Sequence, residues 1–116
     1  MTLKRLRTLA KKWIVALRLT DWEIEFELVA NTDELGECAG TCVWQPEYKT
    51  AMIKIAGDQP PGEIEETLIH ELLHVVLEGH KPLTQTYKYD AMYERGLNVI
   101  SEALAAKGRK RENGTK

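Results

Sequence analysis

Two cysteines, four prolines, one phenylalanine and no apolar run approaching 18 residues are what this chain of 116 residues offers in those classes. Without a long apolar run, no helix is expected to span a membrane. Two thiols cannot build the multi-bridge framework of small secreted domains, and a chain of this size does not need one. Cys38 and Cys42, with Gly40 between them, could pair across a bend or bind a soft metal, but they read as two reduced thiols in a strand. Trp13 to Leu17 is too short for a signal-peptide core and no small-residue cleavage site follows, so the chain reads as cytoplasmic. A large excess of one charge is also missing: the net charge is −2, with 43% hydrophobic and 29% charged residues, which is ordinary for one globular domain.

The near-neutral total conceals an uneven distribution. Residues 1–18 carry six Lys/Arg and no acid, and residues 107–116 carry five Lys/Arg against one Glu, so the stretch between them is strongly acidic. Basic ends suit weak contact with nucleic acid or an acidic partner, although solvated helix faces and tails have the same composition. One domain is expected over residues 1–108, with 109–116 a basic, disordered tail. No repeat or linker interrupts it.

Periodicity predicts an α+β order of elements. Leu3, Leu6, Leu9, Trp13, Ile14 and Leu17 recur at helical spacing, giving an amphipathic helix over 2–18. From Trp22 the period becomes two: Trp22, Ile24, Phe26 and Leu28 alternate with Glu23, Glu25 and Glu27, a half-buried strand with an acidic, solvated face. Asn31 to Gly36 reads as a turn. Two strands follow near Ala39–Gln45 and Ala51–Ala56, joined as a hairpin through Pro46-Glu47-Tyr48-Lys49. The sheet is therefore expected to be three-stranded and mostly antiparallel.

Pro60-Pro61 begins a helix that carries Glu63, Glu65 and Glu66 near its positive end and closes near Gly79. A last helix is predicted over 86–106, antiparallel to the one before, with Tyr89, Met92, Tyr93, Leu97, Ile100 and Leu104 as its buried stripe and Gly108 beyond its end.

Residues 70–74 read His-Glu-Leu-Leu-His. Successive helical residues turn about 100°, so His70 and His74 share one face and present two imidazoles to one metal ion. Glu71 lies a quarter turn away, within reach of a water beside that ion. This is the zincin arrangement of two Zn²⁺ ligands and a general base. A catalytic zinc takes a third protein ligand, and two residues compete for that place. His80 follows His70 by ten positions, the outline of the metzincin pattern, but Leu77 stands where that pattern needs a glycine. The helix should then run past Leu77 and carry His80 away. Met92, a nominal Met-turn, lies in a helical pattern. Glu94 is favoured: the return helix brings its carboxylate to the two imidazoles, and Asn98, one turn on, is placed to bond a ligating histidine. A solvent-facing glutamate is the alternative for Glu94.

Trp22-Glu-Ile-Glu-Phe, Gln45-Pro-Glu-Tyr48, Glu66-Thr-Leu-Ile-His-Glu-Leu-Leu-His-Val-Val-Leu77 and Tyr93-Glu-Arg-Gly-Leu-Asn-Val-Ile100 resemble the small metallopeptidase-like proteins of phage and prophage genomes. These are minimal gluzincin-like domains, more distantly similar to SprT-like proteases. The resemblance spans about residues 20–105. It implies a zincin-like fold, a phage or prophage context, His70, His74 and Glu94 as zinc ligands, Glu71 as catalytic base, and no shared role for His80.

The expected function is zinc-dependent hydrolysis of peptide bonds in a protein or peptide substrate, which could add as a strand along Ala51–Ala56, with Tyr87, Tyr89 or Tyr93 near the oxyanion. Two alternatives stand beside it. One is a metal-dependent endoribonuclease-like hydrolase, suggested by the three-histidine spacing and the basic ends but lacking a glycine at position 77. The other is a catalytically silent module in which zinc pins two helices together. A latent variant of that module would close the metal with the tail or with a thiolate of Cys38 or Cys42.

Overall fold

The computed structural model describes residues 1–81 and 91–114, with side chains through Gly108. Its elements run α1 (Leu3–Ala16), β1 (Glu23–Val29), a 3₁₀ turn (Thr32–Leu35), β2 (Gly40–Gln45), β3 (Thr50–Ala56), α2 (Pro61–Glu78) and α3 (Ala91–Gly114). The fold is α+β, with three helices and one three-stranded sheet.

Helix α1 starts where Thr2 Oγ1 accepts the Arg5 N–H at 3.1 Å. It ends with Arg18 at φ 59°, while the Arg18 N–H bonds the Val15 carbonyl and the Leu19 N–H bonds that of Ile14. That is a Schellman closure with arginine in the glycine position. Leu6, Ala10 and Trp13 are its buried residues. The Trp13 indole N–H donates to Glu65 Oε2 at 2.9 Å, fastening α1 to α2. Glu65, expected near a helix end as a dipole partner, is instead buried and bonded, with Lys12 Nζ 3.8 Å away.

The sheet order is β1-β3-β2, with β1 parallel to β3 and β2 antiparallel to it. This corrects the mostly antiparallel expectation: the sheet is mixed. After β1 the chain passes over the sheet end through the 3₁₀ turn, descends β2 at the far edge, and returns through the Pro46–Lys49 hairpin into the centre. The expected substrate edge, Ala51–Ala56, is therefore the middle strand, flanked on both sides. Ala51, Ile53 and Ile55 point into the helical layer and are buried, while Glu23, Glu25 and Glu27 of β1 are exposed as expected. Lys54 pairs with its register partner Glu27 at 3.8 Å on the open face.

Helix α2 crosses the covered face of the sheet and buries Ile64, Leu68, Ile69, Leu72, Leu73 and Val75. It passes Leu77 without a break. Gly79 follows its last residue, not in a left-handed turn (its φ is −58°) but with its N–H bonding the Val75 carbonyl; a Cβ there would crowd that carbonyl and lie 3.0 Å from the Trp22 ring. Helix α3 begins its described part at Ala91; positions 82–90, including Tyr87 and Tyr89, lie outside the described residues. It does not stop at Gly108. The helix continues to Gly114, so positions 109–114 are helical where a disordered tail was expected.

The stripe of α3 differs in part. Leu97 is buried and Tyr93 and Leu104 pack against the core as expected, but Met92 is 74% and Ile100 45% exposed, and Ser101 and Ala105 are buried instead. No described helix is long and apolar enough to cross a membrane.

Candidate metal centre and its cleft

Helix geometry sets His70 and His74 one turn apart with ring centroids 5.0 Å from each other. Glu94 of α3 meets both: its Oε2 lies 2.9 Å from His70 Nε2 and its Oε1 3.4 Å from His74 Nε2. One carboxylate thus faces two imidazoles on the neighbouring helix. Donor atoms of His70, Glu71 and His74 all lie within 4.8 Å of one another. Glu94 lies outside that close group and touches both imidazoles from the other helix.

The imidazoles are held from behind. His74 Nδ1 is 2.8 Å from Glu78 Oε2, one turn further along α2, which leaves Nε2 to face Glu94. The His74 ring stacks on Trp44 of β2, 6.5 Å between centroids and 15° between planes. The Trp44 indole N–H in turn donates to the Lys81 carbonyl at 2.9 Å. The Asn98 side chain lines the same cleft as His70, one turn after Glu94 on α3. Burial, and then neighbouring His74, hold His70 below the usual histidine range despite Glu94 and Asn98, which favours the neutral, lone-pair-bearing ring.

Glu71 is 6% exposed. Burial pushes its carboxyl up from 4.5 to about 7, with Glu94 adding to the rise and His74 opposing it. A carboxyl there is poised to take or give a proton near neutrality. Burial, reinforced by Glu71 and Glu78, drives the Cys42 thiol far up, so Cys42 keeps its proton and makes a poor metal ligand.

These groups line a cleft of about 930 Å³ between β2, α2 and α3. Glu71, His70 and His74 form its floor, and Glu94, Asn98 and Ser101 its α3 wall. Cys38, Cys42 and Trp44 belong to the opposite wall. Gly40 lets β2 approach: a Cβ on it would lie 2.7 Å from Thr67 Cγ2 and 3.2 Å from Glu71 Cγ. Gln59 locks the arrangement. Its amide N–H groups donate to the carbonyls of Ala39 and Ala56 at 3.1 and 2.8 Å, and its Oε1 accepts from Thr67 Oγ1 at 2.8 Å.

The structure therefore brings His70, Glu71, His74, Glu94 and Asn98 together. His80 is exposed and outside the group. Tyr93 packs its ring 6.2 Å from that of His74, and its hydroxyl is buried. Sequence reasoning missed Glu78 and Trp44. Glu78 was within reach of helical spacing, four residues after His74; Trp44 had no local signal.

No protein-family model, curated protein or solved structure matches this chain.

Proposed function

We propose that the chain is a zinc-dependent peptide hydrolase on the gluzincin plan, with His70, His74 and Glu94 holding the metal and Glu71 as general base. The observation that carries this is the Glu94 carboxylate, which reaches both imidazoles from a separate helix at 2.9 and 3.4 Å. Ligands about 2.1 Å from a tetrahedral zinc lie about 3.4 Å apart, so the set fits with small adjustments. Two neutral nitrogens and one carboxylate, with no thiolate among them, match the donor chemistry of a catalytic rather than a structural zinc. The Glu78 carboxylate, accepting from His74 Nδ1, is the kind of outer partner such a ligand needs.

A zinc ion held there would supply Lewis acidity, polarising a carbonyl and making water a usable nucleophile near neutral pH. Glu71 accepts the proton of the attacking water and passes it to the leaving amine nitrogen. Its burial keeps the proton affinity near neutrality, so both transfers are accessible. A peptide would add along the outer edge of β2, the edge that borders the cleft, rather than along β3. A phosphodiester substrate fits less well: the lining includes Glu37, Glu63, Glu66 and Glu102 and no Lys or Arg among the described residues, which repels a polyanion.

The test is zinc per chain, by elemental analysis, together with cleavage of an unfolded protein, for wild type, Glu71→Gln and Glu94→Ala dialysed against zinc. The expected result is about one zinc in wild type and Glu71→Gln, much less in Glu94→Ala, and cleavage by wild type alone. Full zinc in Glu94→Ala would move the third ligand elsewhere, His80 being next. Undiminished cleavage by Glu71→Gln would remove Glu71 as the base. Zinc without cleavage in wild type would leave the silent, zinc-pinned module.

A further inference from the structure

We infer that the outer face of α3 is a self-association surface: a second copy of this chain packs its own α3 antiparallel against it, and Arg95 of each copy meets Glu102 of the other at the rim of the cleft.

The face itself comes first. Met92, Gly96, Val99, Ala103 and Ala106 follow one another in steps of four and three, the spacing of a seam that meets another helix. Successive residues turn about 100°, so this seam lies opposite Leu97, Ser101 and Ala105, by which α3 packs on its own domain. Met92 is 74% and Val99 57% exposed, Ala103 and Ala106 are exposed, and Ile100, at 45%, widens the strip. Single apolar residues are ordinary on a surface, but these form one strip about 21 Å long. A helix apolar on two opposite sides has more to bury than one domain covers.

Gly96 is the second observation. A glycine inside a helix weakens it relative to alanine. The packing within the chain does not call for one: among the described residues no atom lies within 4 Å of where its Cβ would stand. A missing side chain on an exposed seam is what the close approach of another helix requires.

Size and charge identify the other helix as a second α3. In an antiparallel pair with Gly96 opposite Val99 and Met92 opposite Ala103, each layer sets a large side chain against a small one. Arg95 and Glu102 are exposed and flank the seam on one side. The same register brings Arg95 against Glu102 twice, as a twofold axis demands. A slip of one heptad would face Arg95 with Arg95, or Glu102 with Glu102. A parallel pair would press together the two sets of four Lys/Arg at positions 107–111. Glu102 lines the cleft, whose described lining has no Lys or Arg, so the second copy supplies that wall with a guanidinium.

The test is sedimentation equilibrium of the full-length protein from about 1 μM to 1 mM at low salt. The strip and its two charges are fewer than the roughly 20–30 residues a side of a standard interface, so half-association is expected on the order of 100 μM. Wild type should move from one chain mass toward two. Val99→Glu and Arg95→Glu should each weaken association at least about tenfold, and Arg95→Glu combined with Glu102→Arg should restore it to within about threefold. Gly96→Leu should abolish association while raising the melting temperature, a result that failure to fold cannot imitate. One chain mass at every concentration would overturn the inference. If that monomer instead sediments with anionic lipid vesicles unless Val99 is replaced, the strip faces lipid. Association that survives Gly96→Leu or Val99→Glu, or that the charge-reversed pair does not restore, would overturn it equally.

Discussion

His74 shows how one residue's surroundings decide its chemistry. Its Nδ1 is taken by Glu78 at 2.8 Å and its face by Trp44, so Nε2 alone is left to meet a metal. Removing such an outer carboxylate lowers metal affinity without removing a ligand. Glu78→Ala is therefore expected to bind zinc about 10- to 100-fold more weakly at unchanged stoichiometry, read by competition with a chromogenic chelator. Wild-type affinity in that variant would show Glu78 to be a bystander.

Glu71 carries the opposite kind of consequence. Its proton affinity in the metal-free fold is raised from 4.5 to about 7, chiefly by burial. Below pH 4.5 both folded and unfolded chains hold the proton. As pH rises toward 7 the unfolded chain ionises first, so this contribution to stability is lost and stays lost above 7. The full span amounts to roughly 3 kcal/mol. Metal-free Glu71→Gln should therefore gain on wild type in urea unfolding between pH 5 and pH 8. Parallel pH profiles for the two proteins would show that burial does not raise Glu71.

At the scale of elements, β2 and α3 are shaped by the cleft more than by local propensity. Gly40 starts β2 against α2 with no room for a methyl group, since the nearest atom, Thr67 Cγ2, would lie 2.7 Å from it. Thr67 is held by Gln59 at 2.8 Å and cannot retreat freely. Gly40→Ala should cost about 1–3 kcal/mol in denaturant unfolding and weaken the proposed zinc-dependent cleavage by displacing Glu71. An unchanged midpoint would mean that β2 shifts without resistance. In α3 the side facing α2 carries Glu94, Asn98 and Ser101, while Met92, Val99 and Ile100 are exposed. Ser101 satisfies its buried hydroxyl by bonding the Leu97 carbonyl at 2.8 Å. A reading of apolar period finds Tyr93, Leu97 and Leu104 on the packed side but misses the polar part of that face, which lines the cleft.

The whole molecule extends 47 × 31 × 29 Å, the long axis reflecting α3, whose 24 residues span about 36 Å. At the candidate centre α3 meets α2 through Glu94 and the two histidines, charged and polar groups in half-buried surroundings. A metal there joins two elements, so binding is coupled to the stability of the fold. Zinc at 100 times its dissociation constant would add about 2.7 kcal/mol and raise the melting temperature by on the order of 10 °C. Calorimetry with zinc and with a chelator checks this, and Glu94→Ala should lose most of the shift. A melting temperature indifferent to zinc in wild type would separate the centre from the fold.

The order of elements and the helical placement of His70, Glu71 and His74 were legible in the sequence because each depends on spacing within one helix or strand. The helix running past Leu77 was legible for the same reason. Strand order was not: β3 became central, and the sheet mixed, because pairing is decided between segments distant in the chain. The extension of α3 to Gly114 was hidden by a single glycine that reads as a stop but sits within a helix. The meeting of Glu94 with both imidazoles, the Trp44 stack and the acidic walls of the cleft depend on how α2, α3 and β2 pack. Periodicity sets which residues share a face of one element; only packing decides what that face meets.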